Sequence, residues 1–137
     1  MILDTDVIIA SIRSARGASA EVVRRVLQGE IGIELSVAMA LEYEAVATRS
    51  EHVLASEGDI SDVLNTIDAL ISVATPIDIH FHWRPQLRDP DDEMVLEAAL
   101  NARDRTIVTF NTRDFAPVVG KFGIRVASPR EILEELR

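Results

Sequence analysis

Short runs of apolar residues alternate along the chain with segments in which apolar residues recur at helical spacing. The first run, residues 2–9, is rich in β-branched residues, and its start predicts a buried strand that begins almost at residue 1. The same pattern predicts further strands at 31–35, 77–83, 106–110 and 124–126. Helical spacing and helix-start signals predict helices over 20–28, 37–48, 61–74 and 90–102, near Asp114 and after Pro129.

Local signals define the ends of the first two predicted helices. Ser19 is the predicted N-cap of the first, because its side-chain oxygen can accept a hydrogen bond from a free backbone N–H, and Gly29 is the stop. Ser36 is the predicted N-cap of the second. Residues 49–59 are predicted to form a loop or an irregular helix.

The alternation of strands and helices predicts an α/β fold of three layers, in which helices cover both faces of a mostly parallel sheet. Segment 77–83 alternates apolar and polar residues, which is typical of a half-exposed strand near a sheet edge. The chain has 137 residues and no internal repeat, so residues 1–137 are expected to form a single domain with one core.

Composition restricts the chemistry of any site. Hydrophobic residues make up 47% of the chain and charged residues 27%, which are the values of a globular protein. Cysteine is absent, so a metal must be held by oxygen or imidazole. Residues 1–10 carry Asp4 and Asp6 and lack a basic leader, and no apolar run approaches the roughly 20 residues of a membrane helix. We therefore expect a cytoplasmic protein without a membrane segment.

The charge balance bears on nucleic acids as partners. Asp and Glu number 23 against 14 Lys and Arg, which gives a formal net charge of −9. This sign disfavours non-specific binding to a polyanion. A nucleic-acid enzyme with this balance needs metal ions and a local arginine patch, and 13 of the 14 basic residues are Arg.

Acidic residues in apolar surroundings are the first candidates for a site. Asp4 interrupts an apolar run that resumes at residues 7–9, and a charge there is costly unless it is paired or binds a metal. The alternative is that the strand ends at Leu3 and Asp4 caps a turn. Glu42 and Glu44 both have apolar neighbours three and four positions away, so periodicity does not choose between them.

The segment Asp89-Pro90-Asp91-Asp92 has a structural explanation, since an N-cap Asp, a Pro at the first helical position and acids in the first turn all favour a helix start. Asp92 also precedes Val95 on the apolar stripe of that helix, which directs it toward the sheet. Both interpretations of Asp92 stay open at this point.

Polar residues also follow the predicted strand at 106–110. Thr109, Asn111 and Asp114 would be delivered at the same sheet edge, although Asn111 also suits a helix cap. In parallel sheets the ligand crevice lies beyond the carboxyl ends of the strands, where Asp4, Asp6 and Asn111 are expected. His80 and His82 lie on one strand face and are interpreted as an exposed pair rather than as metal ligands.

These acids come from well-separated parts of the chain, and together they predict a convergent cluster. Carboxylates packed together repel one another, and a hard cation resolves that repulsion best. All-oxygen ligands favour Mg²⁺ or Mn²⁺ over zinc.

At this point the sequence resembles the PIN-domain ribonucleases, particularly the VapC-type toxins of bacterial toxin–antitoxin pairs. The resemblance covers nearly the whole chain in order. The segments that carry it are residues 1–7, 41–46, 89–92 with 95–99, 107–111 with 114–115, 123–126 and 128–133.

The resemblance implies a PIN-like α/β/α fold and a metal-dependent ribonuclease in which Asp4, Glu42 and Asp92 hold Mg²⁺ or Mn²⁺. Water would attack the phosphodiester, with one or two metal ions activating it. The family often has an acid where this chain has Asn111, which makes Asp114 or Asn111 the fourth member. The supporting residues are Asp6, Asp89, Thr109 and Asn111. Position 6 is usually Asn, Ser or Thr, so the extra acid there is a departure that compensates for Asn111 or alters the site.

The resemblance also implies an RNA substrate, a small antitoxin protein as partner, and a homodimer. A rival interpretation is a haloacid-dehalogenase-type phosphatase, whose first motif residues 3–7 also resemble. That family needs a lysine before a later acidic pair, whereas the only lysine, Lys121, follows Asp92. A third interpretation is a PIN-like module that only binds a partner.

Overall fold

A parallel β-sheet forms the centre of the fold. The computed structural model describes residues 1–80 and 86–137. The strands are β1 (Ile2–Leu3), β2 (Glu34–Leu35), β3 (Thr75–Pro76), β4 (Thr106–Val108) and β5 (Arg125–Ala127). The α-helices are α1 (Thr5–Arg13), α2 (Ala18–Leu27), α3 (Val37–Ala47), α4 (Ser50–Ala55), α5 (Ile60–Val73), α6 (Pro90–Leu100) and α7 (Pro129–Glu135). A 3₁₀ helix spans Thr112–Val118.

The pairing of the strands places the ends of β1 and β4 next to each other. β1 pairs in parallel with β4, which aligns Leu3 with Val108, and β4 pairs in parallel with β5. β2 pairs in parallel with β3, and a 3.0 Å hydrogen bond from the Glu34 N–H to the Met1 carbonyl places β2 beside β1. The structure therefore has a three-stranded sheet in the order β1-β4-β5 and a two-stranded sheet of β2 and β3, whose β2 lies beside β1. The predicted α/β class with a parallel sheet is confirmed.

Helices pack on this sheet and on one another through apolar side chains. Helix α6 contacts β1, β4 and α3, while α2 contacts α1, α5 and α7. The largest fully buried side chains belong to Tyr43, Phe115, Ile2, Leu3, Ile8, Ile33, Met39, Ile67, Leu70, Leu96, Ile107 and Ile132. Both residues of β1 and all of β4 are buried, which fits their apolar and β-branched residues.

The first apolar run does not continue as a strand beyond Leu3. Residues Thr5–Arg13 form α1 with Asp4 as its N-cap, so the strand ends at Leu3, as in the alternative interpretation of Asp4, and the apolar residues 7–9 belong to a helix. Asp4 accepts a hydrogen bond from a first-turn N–H, and Asp6 places a second acid in that turn, which is a helix-start signal. Val7 and Ile8 are both fully buried, which a helix achieves because adjacent residues share its buried face.

Several other predicted boundaries also move. Helix α2 begins at Ala18 with Gly17 at the N-cap, so the assignment of Ser19 as the cap was wrong. The predicted loop or irregular helix at 49–59 contains the regular helix α4. The predicted strands at 31–35 and 106–110 shorten to β2 and β4. The strand predicted at 77–83 is replaced by the earlier β3, and residues 81–85 lie outside the described residues.

Helix starts that depend on local hydrogen bonds are where the sequence predicts them. The Ser36 hydroxyl accepts from the Met39 N–H at 3.2 Å and caps α3. Asp89 caps α6 by accepting from the Asp91 N–H at 2.9 Å, with Pro90 at the first helical position. Within the described residues, no helix has both the length and the apolar character needed to cross a lipid bilayer.

Candidate active site

Asp4 lies where β1 ends, beside the end of β4. Its N–H donates to the Val108 carbonyl at 2.9 Å, which extends the pairing of the two strands by one residue. Its side chain is only 8% exposed, and Oδ1 accepts from the Thr5 N–H at 2.7 Å. Asp4 is therefore a capping residue, as in the alternative interpretation. Its side chain is at the same time a nearly buried carboxylate.

Thr109 follows β4 and contacts both acids of the first turn. Its hydroxyl lies 2.8 Å from Asp4 Oδ2 and 3.2 Å from Asp6 Oδ2, and it accepts from the Asn111 N–H at 3.0 Å. A hydroxyl group has a single proton to donate, so the shorter contact to Asp4 is the hydrogen bond and the contact to Asp6 is secondary. The fully buried Thr109 thus fixes the position of Asp4 Oδ2.

The two oxygens of Asp6 lie in different environments. Oδ2 accepts from the Phe110 N–H at 3.0 Å and from Asn111 Nδ2 at 3.2 Å. Oδ1 is buried and has no hydrogen-bond partner within the described residues. A buried carboxylate oxygen without a partner is costly, and a bound cation or a metal-bound water would satisfy it.

Burial and mutual repulsion disfavour the ionised forms of these acids. Burial, the charge of Asp6 and, last, that of Asp92 raise the pKa of Asp4 to about 7, against hydrogen bonds from Thr109 and Thr5 that lower it. Burial also raises the pKa of Asp6, despite the hydrogen bonds that it accepts. The pKa of Asp92 rises to about 6, through partial burial first and then through the neighbouring acids, among them Asp89 and Asp114.

A cavity of about 340 Å³ opens in front of Asp4 and gathers acids from three helices of the chain, α1, α3 and α6. Its acidic lining residues are Asp4, Asp6, Glu42, Asp89, Asp91 and Asp92. The structure therefore brings Asp4, Glu42 and Asp92 to one cavity, with Glu42 and Asp92 both half-buried. Glu44 is exposed and does not line this cavity.

A buried hydrogen bond fixes helix α3, which carries Glu42. The Tyr43 hydroxyl donates to the Leu3 carbonyl at the end of β1, and the Tyr43 side chain is fully buried. Burial and the charges of Asp4 and Asp6 raise the pKa of the Tyr43 phenol, so it stays protonated as a donor. This contact sets the rotation of α3 and directs the adjacent Glu42 to the cavity.

Asp114 lies in a second cavity, of about 950 Å³. The two cavities meet at Asp89 and Asp92, which line both. Asp114 is exposed on the 3₁₀ helix and does not line the cavity of Asp4, but its charge contributes to the raised pKa of Asp92. The structure thus separates Asp114 from Asp4 and Glu42, and it places Asn111 rather than Asp114 in the first cavity.

Basic residues that the sequence analysis did not single out line the same cavities. Arg49 and His52 line the first, and Arg88 and Arg113 line the second. Arg13 Nη1 lies 3.1 Å from His52 Nδ1, and since a guanidinium only donates, that ring nitrogen is the acceptor. The spacing of Arg49 and His52 by three residues was the available signal, because it puts both on one side of a helical turn.

The other histidines and the lysine lie elsewhere. His80 is exposed, its N–H donates to Asn101 Oδ1 at 2.9 Å, and it lines neither cavity. His82 lies outside the described residues. Lys121 also lines neither cavity, so no lysine meets the acids as the phosphatase interpretation requires.

The acids suit a hydrated divalent cation better than a closed metal cage. In the described part of the chain, no group of three or more Asp, Glu or His side chains is arranged to hold a metal ion directly. Mg²⁺ keeps several of its waters and needs only one or two direct carboxylate ligands. The all-oxygen donors, the raised pKa values and the unsatisfied Asp6 Oδ1 fit such an ion.

Comparison with known proteins gives one match. A family model described as PIN domain matches residues 1–113. Searches of curated proteins and of solved structures found no match to this chain.

Proposed function

Because the chain belongs to the PIN-domain family, whose members are generally metal-dependent nucleases, we propose that it is an endoribonuclease that uses Mg²⁺ or Mn²⁺. The observation that carries this proposal is the cavity that Asp4, Glu42 and Asp92 share beyond the ends of β1 and β4. Membership in this family also argues against the haloacid-dehalogenase interpretation.

Each candidate residue of the chain would have its own role in this reaction. Asp4, Glu42 and Asp92 would hold the hydrated cation, and Thr109 fixes the position of Asp4 Oδ2. The unsatisfied Asp6 Oδ1 would accept a hydrogen bond from the hydrated ion, while Asn111 and Phe110 hold its other oxygen in place. When bound, the cation activates a water as nucleophile and stabilises the leaving oxygen.

In this proposal Asp89 and Asp114 act on Asp92 rather than on the cation itself. Asp89 caps α6, which fixes the helix that carries Asp92. Asp114 lies in the neighbouring cavity and acts on Asp92 through its charge alone. No side-chain nucleophile is needed, because water attacks the phosphodiester directly.

We further propose that the protein is a cytoplasmic toxin that forms a homodimer and is inhibited by a small antitoxin protein. The similarity to VapC-type toxins supports this role. Val37 is 75% and Leu41 63% exposed on α3. This exposed apolar strip supports the proposal that a partner chain covers part of the surface. The change Leu41→Asp is expected to convert a dimer into a monomer in light-scattering measurements, and a monomeric wild type would contradict the homodimer.

The test of the nuclease proposal compares the wild type with Asp4→Asn on single-stranded and structured RNA, with Mg²⁺, with Mn²⁺ and with EDTA. We expect cleavage by the wild type with either metal, and none in EDTA or by Asp4→Asn. The amide keeps the size of the side chain but loses the charge that holds the cation. Asp68→Asn is the matched control, because Asp68 is exposed on α5 and outside both cavities, and it should cleave like the wild type.

Circular dichroism of Asp4→Asn should show an intact fold, so that lost cleavage reports the site. RNA that is bound but never cut by the wild type would favour the binding-module interpretation. Hydrolysis of a phosphomonoester with no RNA cleavage would overturn the nuclease.

A further inference from the structure

Three arginines beside the acidic cavities have no carboxylate partner within the described residues. Several other arginines of the chain do pair with acids, as Arg24 does with Glu21 at 2.8 Å and Arg130 with Glu134 at 3.5 Å. The side chains of Arg49, Arg88 and Arg113 have neither an ion pair nor a hydrogen bond within residues 1–80 and 86–137.

Their placement follows the two cavities. Arg49 lines the cavity of Asp4 and Glu42, whereas Arg88 and Arg113 line the second cavity. The two cavities meet at Asp89 and Asp92, and each cavity is lined by at least one of these arginines. Arg49 and Arg113 are exposed, so their donors are free to meet a ligand from solvent.

The net charge of the chain indicates what these arginines do. A metal ion neutralises the phosphate that is cut, but the phosphates on either side of it still meet a protein of formal net charge −9 and a cluster of acids. A guanidinium group offers two parallel N–H donors that match a phosphate, and it stays charged at every working pH. Arginines that line the two neighbouring cavities are suited to hold those neighbouring phosphates.

We propose that Arg49 and Arg113 bind the phosphates on the two sides of the scissile one, so that the substrate strand crosses Asp92 from one cavity to the other. This inference rests on the proposed nuclease function. It assigns to each arginine a different phosphate, and it makes both of them substrate-binding residues rather than catalytic ones.

The first test measures the affinity for a short single-stranded RNA as a function of salt, in an Asp4→Asn background that does not cut. Each phosphate contact in a single strand contributes about 0.7 to the slope of log K against log salt. We expect Arg49→Ala and Arg113→Ala each to weaken binding about five- to tenfold and to lower the slope by about 0.7. Arg130→Ala is the control, since Arg130 is exposed and lines neither cavity.

The second test replaces single phosphates of that RNA by neutral methylphosphonates. When one particular phosphate is replaced, Arg49→Ala should cause no further loss of affinity for the RNA. Arg113→Ala should cause no further loss of affinity when a different phosphate, on the other side of the cleavage site, is replaced. The inference would be overturned if the losses of affinity from the variant and from the methylphosphonate added fully at every position. It would also be overturned if both arginines responded to the same position.

The outcomes also separate this inference from the function on which it rests. If the wild type cuts RNA while both arginine variants bind with the affinity and slope of Arg130→Ala, the inference fails and the nuclease stands. If the wild type neither cuts nor binds RNA, the proposed function fails and the inference falls with it. Unchanged circular dichroism of the variants would show that the lost affinity is not a folding defect.

Discussion

The hydroxyl group of Thr109 donates a 2.8 Å hydrogen bond to Oδ2 of Asp4, and both residues are buried. This contact lowers the pKa of a carboxyl group that burial and the neighbouring charges of Asp6 and Asp92 raise to about 7. Thr109 therefore makes the charged form of Asp4 easier to reach at neutral pH, in addition to orienting it.

We expect Thr109→Val to lower the affinity for Mg²⁺ and the cleavage rate at least tenfold, because Asp4 loses a donor to its charged form. The free energy of unfolding should fall by about 1–2 kcal/mol, since Asp4 Oδ2 and the Asn111 N–H lose a buried partner. Urea unfolding and a metal titration measure the two effects. Thr109→Ser keeps the hydroxyl and should stay within about threefold of the wild type, and equal losses in both variants would contradict this role.

The raised pKa of Asp4 predicts how stability depends on pH without metal. The folded state holds this proton up to about pH 7, whereas the unfolded state releases it near 3.8, so the free energy of unfolding should fall as pH rises between those values. Asp4 accounts for at most about 4 kcal/mol of this fall. Denaturant unfolding in EDTA from pH 4 to 8 measures it, and Asp4→Asn should show a shallower fall. Parallel curves for the two proteins would contradict the assignment.

Mg²⁺ should reverse that loss, because the cation binds the deprotonated acids. We expect the rise in the thermal midpoint on adding Mg²⁺ to be larger at pH 8 than at pH 5. At a metal concentration of 100 times Kd the stabilisation is about 2.7 kcal/mol. An increase of the same size at both pH values would show that the cation does not compete with protons for these carboxylates.

Two glutamates of one helix offer a matched comparison. Glu42→Gln should lower cleavage about 100-fold or more, because it removes a charge from the cavity of Asp4. Glu44→Gln should cleave within about twofold of the wild type, since Glu44 is exposed outside that cavity. Cleavage rates at saturating Mg²⁺ decide the matter, and a larger loss for Glu44→Gln would move the ligand assignment to that residue.

Asp6 and Asn111 face each other as carboxylate and amide, with Asn111 Nδ2 3.2 Å from Asp6 Oδ2. Asn111→Asp should lower the free energy of unfolding in EDTA by about 1–2 kcal/mol, because it brings two carboxylates together. Adding Asp6→Asn should recover most of that loss, since one acid again faces one amide. A double-mutant cycle by urea unfolding measures the coupling. Additive effects would mean that the two side chains act independently.

The sequence predicted the features that depend on neighbours in the chain. The caps at Ser36 and Asp89 hold because a side chain and a free N–H two or three residues away meet whenever a helix starts there. The parallel sheet followed from the order of the elements. Helix α1 was not predicted, because the three consecutive apolar residues 7–9 suit a buried strand and a buried helix alike.

The site could be predicted only in part, for a similar reason. Asp4, Glu42 and Asp92 stood out because acids in apolar surroundings need a reason, and the family resemblance selected among them. The choice between Glu42 and Glu44 depends on the rotation of α3, which the Tyr43 contact to β1 sets across 40 positions of sequence. The spacing of Arg49 and His52 places both on one side of a helical turn, but their arrival at the cavity depends on the packing of α4, which the local pattern does not reveal.

The pairing of β1 with β4 also determines when a newly made chain completes the proposed site. β1 leaves the ribosome first, but its partner β4 follows only after residues 4–105 have been made. Until β4 and the residue that follows it have been made, Thr109 cannot orient Asp4 and β4 cannot bury it. Contacts between such distant segments form late, because a long loop must close before they are gained. If the chain cuts RNA as proposed, this topology would leave the site incomplete beside the messenger and ribosomal RNA during most of the chain's own translation.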